Sequence, residues 1–169
     1  MKKKTKKTLI KGILGLIIIA GVFYQTQIAK QLPLDSSSVE FLACTDGDTA
    51  HFSVNGQDET VRFIAIDTPE TKHPQKGVEP FGQEASDFTC NSLKSAAEIK
   101  LEYEPSNETD KYGRLIAWIF IDGQLLQEQL IQEGYAKVAY LYGDYKYTSQ
   151  LEDAEAIAKQ NQIGIWSLE

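Results

Sequence analysis

Arg62, Asp67 and Glu70 fall within one stretch, RFIAIDTPETKH, residues 62–73. The stretch begins as an apolar strand and stops at a carboxylate, a proline and a second carboxylate. Hard cations such as calcium take carboxylate and carbonyl oxygens, so Asp67 and the Thr68 carbonyl are candidate metal ligands. Glu70 is a candidate general base, because a carboxylate can take a proton from water. Arg62 interrupts the apolar alternation, and a guanidinium on a buried strand needs a carboxylate or a phosphate partner. Taken alone, the two acids also suit a capped turn. Arg62 and Asp67 are an odd number of residues apart, so a straight strand puts them on opposite faces. They share a site only if the strand bends, bulges or ends between them.

Three other stretches carry chemistry. In TDGDT, residues 45–49, Asp48 joins the candidate cation ligands, although an Asp-Gly pair is also an ordinary turn. In TDKYGR, residues 109–114, Arg114 could clamp a phosphate with two hydrogen bonds while Lys111 supplies a point charge. In AYLY, Tyr140 and Tyr142 point the same way if the segment is a strand, and could stack a base. Two arginines, several acids, a lysine and paired tyrosines suit hydrolysis of a phosphodiester. Positive charge would neutralise the phosphate in the transition state while a base activates water.

The elements that must position these residues are readable from pattern. VEFLACT, TAHFSV and TVRFIAI read as three strands, with Asn55-Gly56 turning the second into the third. Phe81 to Ala97 reads as a helix with Phe81, Ala85, Phe88, Leu93 and Ala96 near one face. IKLEYE and RLIAWIFI read as strands on either side of the polar loop SNETDKYG. A helix over LLQEQLIQE, capped by Gly134, is followed by the extended segment YAKVAYLY. A last helix spans about Ser149 to Gln160, with Leu151, Ala154, Ile157 and Ala158 inward, and Ile163, Ile165 and Trp166 fold back. The order predicts an α+β fold, a five-stranded Greek-key barrel of the OB type with packed helices.

Composition bounds the setting. The chain has 169 residues, 17 Lys and Arg, and 24 Asp and Glu. From Val39 onward there are 10 basic and 23 acidic residues, a net of −13. Bulk charge therefore cannot hold nucleic acid, and any phosphate must be bound by a local basic cluster or a metal ion. The start is different. Six lysines lie in residues 1–11, and the apolar run Leu9 to Tyr24 is 16 residues long, short of the roughly 20 of a comfortable membrane span. Residues 1–24 read as an export signal or an N-terminal anchor that would tether the protein to a membrane. Residues 25–38 read as a linker and 39–169 as the folded domain. QTQIAK is a poor cleavage site, so cleavage and retention both stay open. Cys44 and Cys90 either pair in an oxidising compartment or are two unrelated buried thiols.

The blocks DGDT at 46–49, VRFIAIDTPETKHP at 61–74, KGVEPFGQEAS at 76–86, TDKYGR at 109–114, AKVAYLY at 136–142 and IW at 165–166 resemble the staphylococcal nuclease (thermonuclease) family in the same order. The resemblance implies an OB barrel with three helices, and calcium-dependent cleavage of DNA and RNA at the 5′-oxygen bond, leaving 3′-phosphate ends. It implies that Asp48, Asp67 and the Thr68 carbonyl bind calcium and that Glu70 positions or deprotonates the attacking water. Arg62 and Arg114 would bind the phosphate, Lys111 and Tyr112 would contact a terminal phosphate, and Tyr140 and Tyr142 would line the nucleotide pocket. The protein is expected to act as a monomer, outside the cytoplasm. The departure is charge. The best-known members are basic, and here the lysines near the HP-x-K-G loop thin to Lys72 and Lys76. Weak affinity for long nucleic acid and strong salt dependence are expected. The rival reading is a barrel that binds nucleic acid with little or no catalysis. Such a module should have lost some of Asp48, Asp67, Glu70, Arg62 and Arg114, and all five are present.

Overall fold

A computed structural model describes residues 37–71, 77–105 and 108–168. The expected N-terminal helix, nearly all of the linker, and Lys72 and Lys76 lie outside the described residues. Among the described residues no helix is long and apolar enough to cross a membrane.

Among the described residues nine short strands and three α-helices follow in this order: β1 (Ser37–Ser38), β2 (Glu40–Cys44), β3 (Thr49–Val54), β4 (Gln57–Phe63), β5 (Ile66–Asp67), α1 (Gly82–Ser95), β6 (Ile99–Glu102), β7 (Leu115–Ile121), β8 (Gln124–Leu125), α2 (Leu126–Gln132), β9 (Lys137–Val138) and α3 (Thr148–Gln160). A 3₁₀ turn, Gly164–Leu168, closes the chain and buries Trp166. The main sheet runs β1-β6-β7-β4-β3-β2, with β8 beside β7, and β5 pairs with β9 in a separate ribbon. This is an α+β fold in which a curled sheet, forming a half-barrel, carries three helices. The curl is visible in connectivity: β1 and β2, at the two ends of the order, are consecutive pieces of one segment split at Val39. The Val39 N–H donates to the Ile99 carbonyl (3.0 Å) at that split. Two residues expected in the linker, Ser37 and Ser38, thus pair with Leu101 and Lys100.

β3 forms where its alternation predicts, and Asn55 and Gly56 both take the positive φ that a tight hairpin needs (53° and 77°). The third expected strand is displaced. It starts early, at Gln57, and breaks after Phe63, where Ala65 turns left-handed (φ 63°) before Ile66 resumes extended geometry. β7 is central, with Leu115, Ala117, Trp118, Ile119 and Ile121 buried. α2 packs there, and its fully buried Gln127 acts as a strand surrogate: it accepts from the Ile119 N–H (3.1 Å) and donates to the Ala117 carbonyl (3.0 Å).

Two helix faces differ from expectation. On α1 the buried positions are Gly82, Ala85, Thr89 and Leu93. Phe88 is half-buried and packs on Tyr135 (5.7 Å). Thr89, which was not expected on this face, is fully buried because its hydroxyl donates to the Gly47 carbonyl (2.6 Å), and a satisfied hydroxyl can be buried where an unpaired one cannot. On α3 Leu151, Ala154 and Ala158 are buried, whereas Ile157 lies off that stripe and is exposed.

Cys44, at the end of β2, is disulfide-bonded to Cys90 in α1, with Cα atoms 5.8 Å apart. The bridge closes a loop of 46 residues, for which chain entropy gives about 4 kcal/mol of stabilisation. Replacing both cysteines with serine should lower the unfolding free energy by about that amount in urea titrations. An unchanged midpoint would show that the bridge adds nothing to stability.

Candidate active site

The sheet brings the expected residues together by register. β3 and β4 pair Thr49 with Arg62, which sets Asp48 beside the Arg62 side chain. β4 and β7 run parallel with Val61 opposite Leu115, so Arg114, one residue earlier, arrives at the same end of the sheet. A cleft of about 710 Å³ opens there, lined by Asp46, Asp48, Arg62, Asp67, Glu70 and Arg114 among others.

Arg62 is its hub. Nη1 contacts Asp48 Oδ1 (3.0 Å) and donates to the Phe63 carbonyl (3.1 Å). Nη2 donates to the Ile66 carbonyl (2.9 Å) and lies 3.6 Å from Asp67 Oδ1. The parity conflict between Arg62 and Asp67 is resolved by the break at Ile64 and Ala65, which ends one strand and restarts the next. Lys137, brought in by β5–β9 pairing, reaches Asp67 Oδ2 (3.2 Å).

Asp48 is buried. Its Oδ2 accepts from the Thr68 N–H (2.9 Å) and hydroxyl (3.0 Å), and Oδ1 accepts from the Thr49 hydroxyl (3.1 Å). Gly47 permits this approach, since a Cβ there would meet the Thr68 hydroxyl at 2.8 Å. Burial raises the Asp48 carboxyl from 3.8 to about 6, against the opposing charge of Arg62 and the Thr68 hydrogen bonds, with Asp46 adding to the rise. Glu70 is exposed at the cleft. Its backbone is fixed by Glu79, whose carboxylate accepts from the Glu70 N–H (3.0 Å) and whose N–H donates to the Glu70 carbonyl (2.9 Å).

Arg114 is oriented by Asp110, a residue the sequence reading passed over. Asp110 Oδ2 accepts from Arg114 Nε (2.7 Å), while Oδ1 accepts from the backbone N–H groups of Tyr112 (2.9 Å) and Arg114 (3.0 Å). An Asp that hydrogen-bonds the backbone two residues on is the Asx-turn signal that could have found it. Burial raises the Asp110 carboxyl, but these hydrogen bonds and the Arg114 charge outweigh it and hold the group below 3.8. Arg114 lines the cleft with its Nε held in this way. Lys111 and Arg114 both lie over the exposed Tyr112 ring, at 5.0 and 5.6 Å.

Tyr140 and Tyr142 meet without a strand. β9 ends at Val138 and Tyr140 turns left-handed (φ 57°), yet the two rings stack at 6.4 Å and both line the cleft. Arg62 lies 5.6 Å from the Tyr140 ring. The Asp67 charge, then burial, raise the Tyr140 hydroxyl above its ordinary value. Asp46, Lys137 and Tyr145 also stand at or beside the cleft and were not singled out by sequence.

Residues 60–168 match the family described as staphylococcal nuclease homologue. The chain belongs to the staphylococcal nuclease family. Among family members, it is 33% identical over 172 residues to a thermonuclease of Staphylococcus hyicus, covering 99% of each chain. It is 43% identical over 123 residues to the SPbeta prophage-derived endonuclease YokF of Bacillus subtilis, and 42% identical over 123 residues to endonuclease YncB of the same organism. Those alignments cover 72% of this chain but only 41% and 58% of the two endonucleases.

The two aspartates predict opposite pH behaviour. Asp110 titrates below its ordinary value when folded, so its stabilisation is complete above 3.8 and is lost as pH falls. The stability gap between the parent and Asp110→Asn should close on acidification. Asp48 titrates above its ordinary value, so in chelator its contribution is full below 3.8 and is lost as pH rises through about 6. Asp48→Asn should remove that slope. Parallel urea titrations across this range test both, and slopes of the same sign would contradict the assignment.

Proposed function

We propose that this protein is a calcium-dependent nuclease that hydrolyses DNA and RNA at the 5′-oxygen bond and leaves 3′-phosphate ends. The observation that carries the reading is the convergence of Arg62, Arg114, Asp48, Asp67 and Glu70 on one cleft with a stacked tyrosine pair. Family membership and relatives named as nucleases support it. We read the curled sheet as the five-stranded OB barrel, with β1 and β2 as one bent strand.

The donor set fits a hard cation. Asp48, Asp67 and the Thr68 carbonyl offer only oxygen, and two carboxylates with one carbonyl make a partial shell that water would complete. When bound, calcium would supply positive charge next to the phosphate. Arg62 and Arg114 bind the phosphate and stabilise charge on its oxygens in the transition state. A phosphate must compete with Asp48 and Asp67 for Arg62, whereas Arg114 is already oriented by Asp110. Glu70 receives the proton of the attacking water or positions it. Lys111 and Tyr112 contact a terminal phosphate, and Tyr140 and Tyr142 stack bases. The protein works as a monomer outside the cytoplasm, a setting that the Cys44–Cys90 disulfide supports. The basic, apolar N-terminus is its route there, as an anchor or a cleaved signal.

Purified protein should cleave single-stranded DNA in calcium, leave 3′-phosphates, and stop in excess chelator. Arg62→Ala and Arg114→Ala should each lower kcat by about 10²-fold or more with the fold retained by circular dichroism. Near-parental cleavage by either folded variant would remove that arginine from the mechanism. Binding without cleavage by the parent would favour a nucleic-acid-binding module.

A further inference from the structure

Glu104 is a buried carboxylate that the proposed chemistry does not use. It is 8% exposed, at the end of the segment that continues β6. Its Oε1 accepts two hydrogen bonds, from the indole N–H of Trp118 (2.8 Å) and from the backbone N–H of Lys146 (2.8 Å). Trp118 is fully buried in β7 and presents its ring edgewise to Tyr145 (6.5 Å) and Tyr147 (5.1 Å). Tyr145 lines the cleft together with Tyr140 and Tyr142.

The neighbouring Glu102 reinforces the attachment. Its carboxylate contacts Lys146 Nζ (2.6 Å) and accepts from the Tyr147 hydroxyl (3.0 Å), which holds the Lys146 ammonium above its ordinary pKa. At its other end the tyrosine segment is tied by the Val138 N–H to Glu155 (2.8 Å) and by the Ala139 N–H to the Ala65 carbonyl (3.0 Å). Residues 140–145 therefore span two fixed points. Glu104 is the buried one at the far end, 42 residues away in sequence from the backbone it holds. Lys146 Nζ is solvent-exposed and its pairing with Glu102 is screened. The Glu104 bonds, to a buried indole N–H and a part-buried backbone N–H, are better shielded from solvent.

We propose that Glu104 is a positioning residue for substrate bases: by holding the Lys146 backbone and Trp118 it sets Tyr145, and the tyrosine segment before it, as the base-facing wall of the cleft. The inference rests on the nuclease reading of that cleft. Glu104 is not among the residues that line the cleft, so its removal acts on base contacts and spares the reacting centre.

The test compares the full chain with Glu104→Leu and Glu104→Gln on two substrates, a single-stranded oligonucleotide and a matched strand lacking bases around one phosphate. Glu104→Leu should raise KM for the base-bearing strand about tenfold, the scale of one lost base stack, and leave kcat within about twofold. KM for the abasic strand should not move, and Glu104→Gln, which keeps an accepting oxygen, should restore the parental KM. Tyr145→Ala should give the same selective rise, and the double variant no further one. An equal rise on both strands, a fall in kcat alone, or additive effects would overturn the proposal. If the leucine variant does not fold, Glu104→Asp, shorter by one methylene, carries the same comparison. If the parent cleaves neither strand, the nuclease reading fails by itself. Dissociation constants for the two strands, read from tryptophan fluorescence, then decide the question: base-selective weakening supports the role of Glu104 and uniform or absent weakening overturns it.

Discussion

A single guanidinium organises the cleft. Arg62 is largely withdrawn from solvent and sits among Asp48, Asp67 and the carbonyls of Phe63 and Ile66. The Phe63 carbonyl lies before the break in the strand, the Ile66 carbonyl and Asp67 lie after it, and Asp48 comes from the loop before β3. A buried charge without partners is costly, and Arg62 finds its partners on both sides of the turn at Ala65 as well as on Asp48. The same contacts keep two carboxylates close without mutual repulsion. Asp48 shows the limit of this compensation, since burial still lifts its carboxyl to about 6.

The loops of the cleft are fastened to rigid elements one by one. Gly47 packs against Thr68 and Ala85, and its carbonyl takes the Thr89 hydroxyl from α1. One residue from Thr89, Cys90 is bonded to Cys44 at the entry of the same loop. Asp110 closes the Arg114 loop, and Glu104 fixes the tyrosine segment. Preorganised groups need little rearrangement when charge develops, which is what electrostatic catalysis requires.

Charge sets the terms on which an anionic polymer could approach. The domain from Val39 on is acidic by 13 charges, yet Arg62, Lys111 and Arg114 line the cleft and Lys137 stands beside it. Attraction is then local and focused, and repulsion is spread over the rest of the surface. For the proposed nucleic-acid substrate such an arrangement would favour short or flexible strands over long rigid ones that must lie across the acidic surface.

The sequence by itself determined what depends on near neighbours. The hairpin at Asn55-Gly56, the strand Thr49–Val54 and the position of the three helices among the described residues were legible, because side-chain period and turn chemistry act over two to four residues. Only the tertiary structure decided which groups meet. Nothing in Ala65 announces a left-handed break, and nothing local buries Thr89 or turns Ile157 outward. The pairing of Cys44 with Cys90, the contact of Lys137 with Asp67 and the reach of Glu104 to Lys146 join residues 42 or more positions apart. Those contacts depend on how a curled sheet closes on its own first strand, and that closure is the sum of many weak burial terms that no short window of sequence contains.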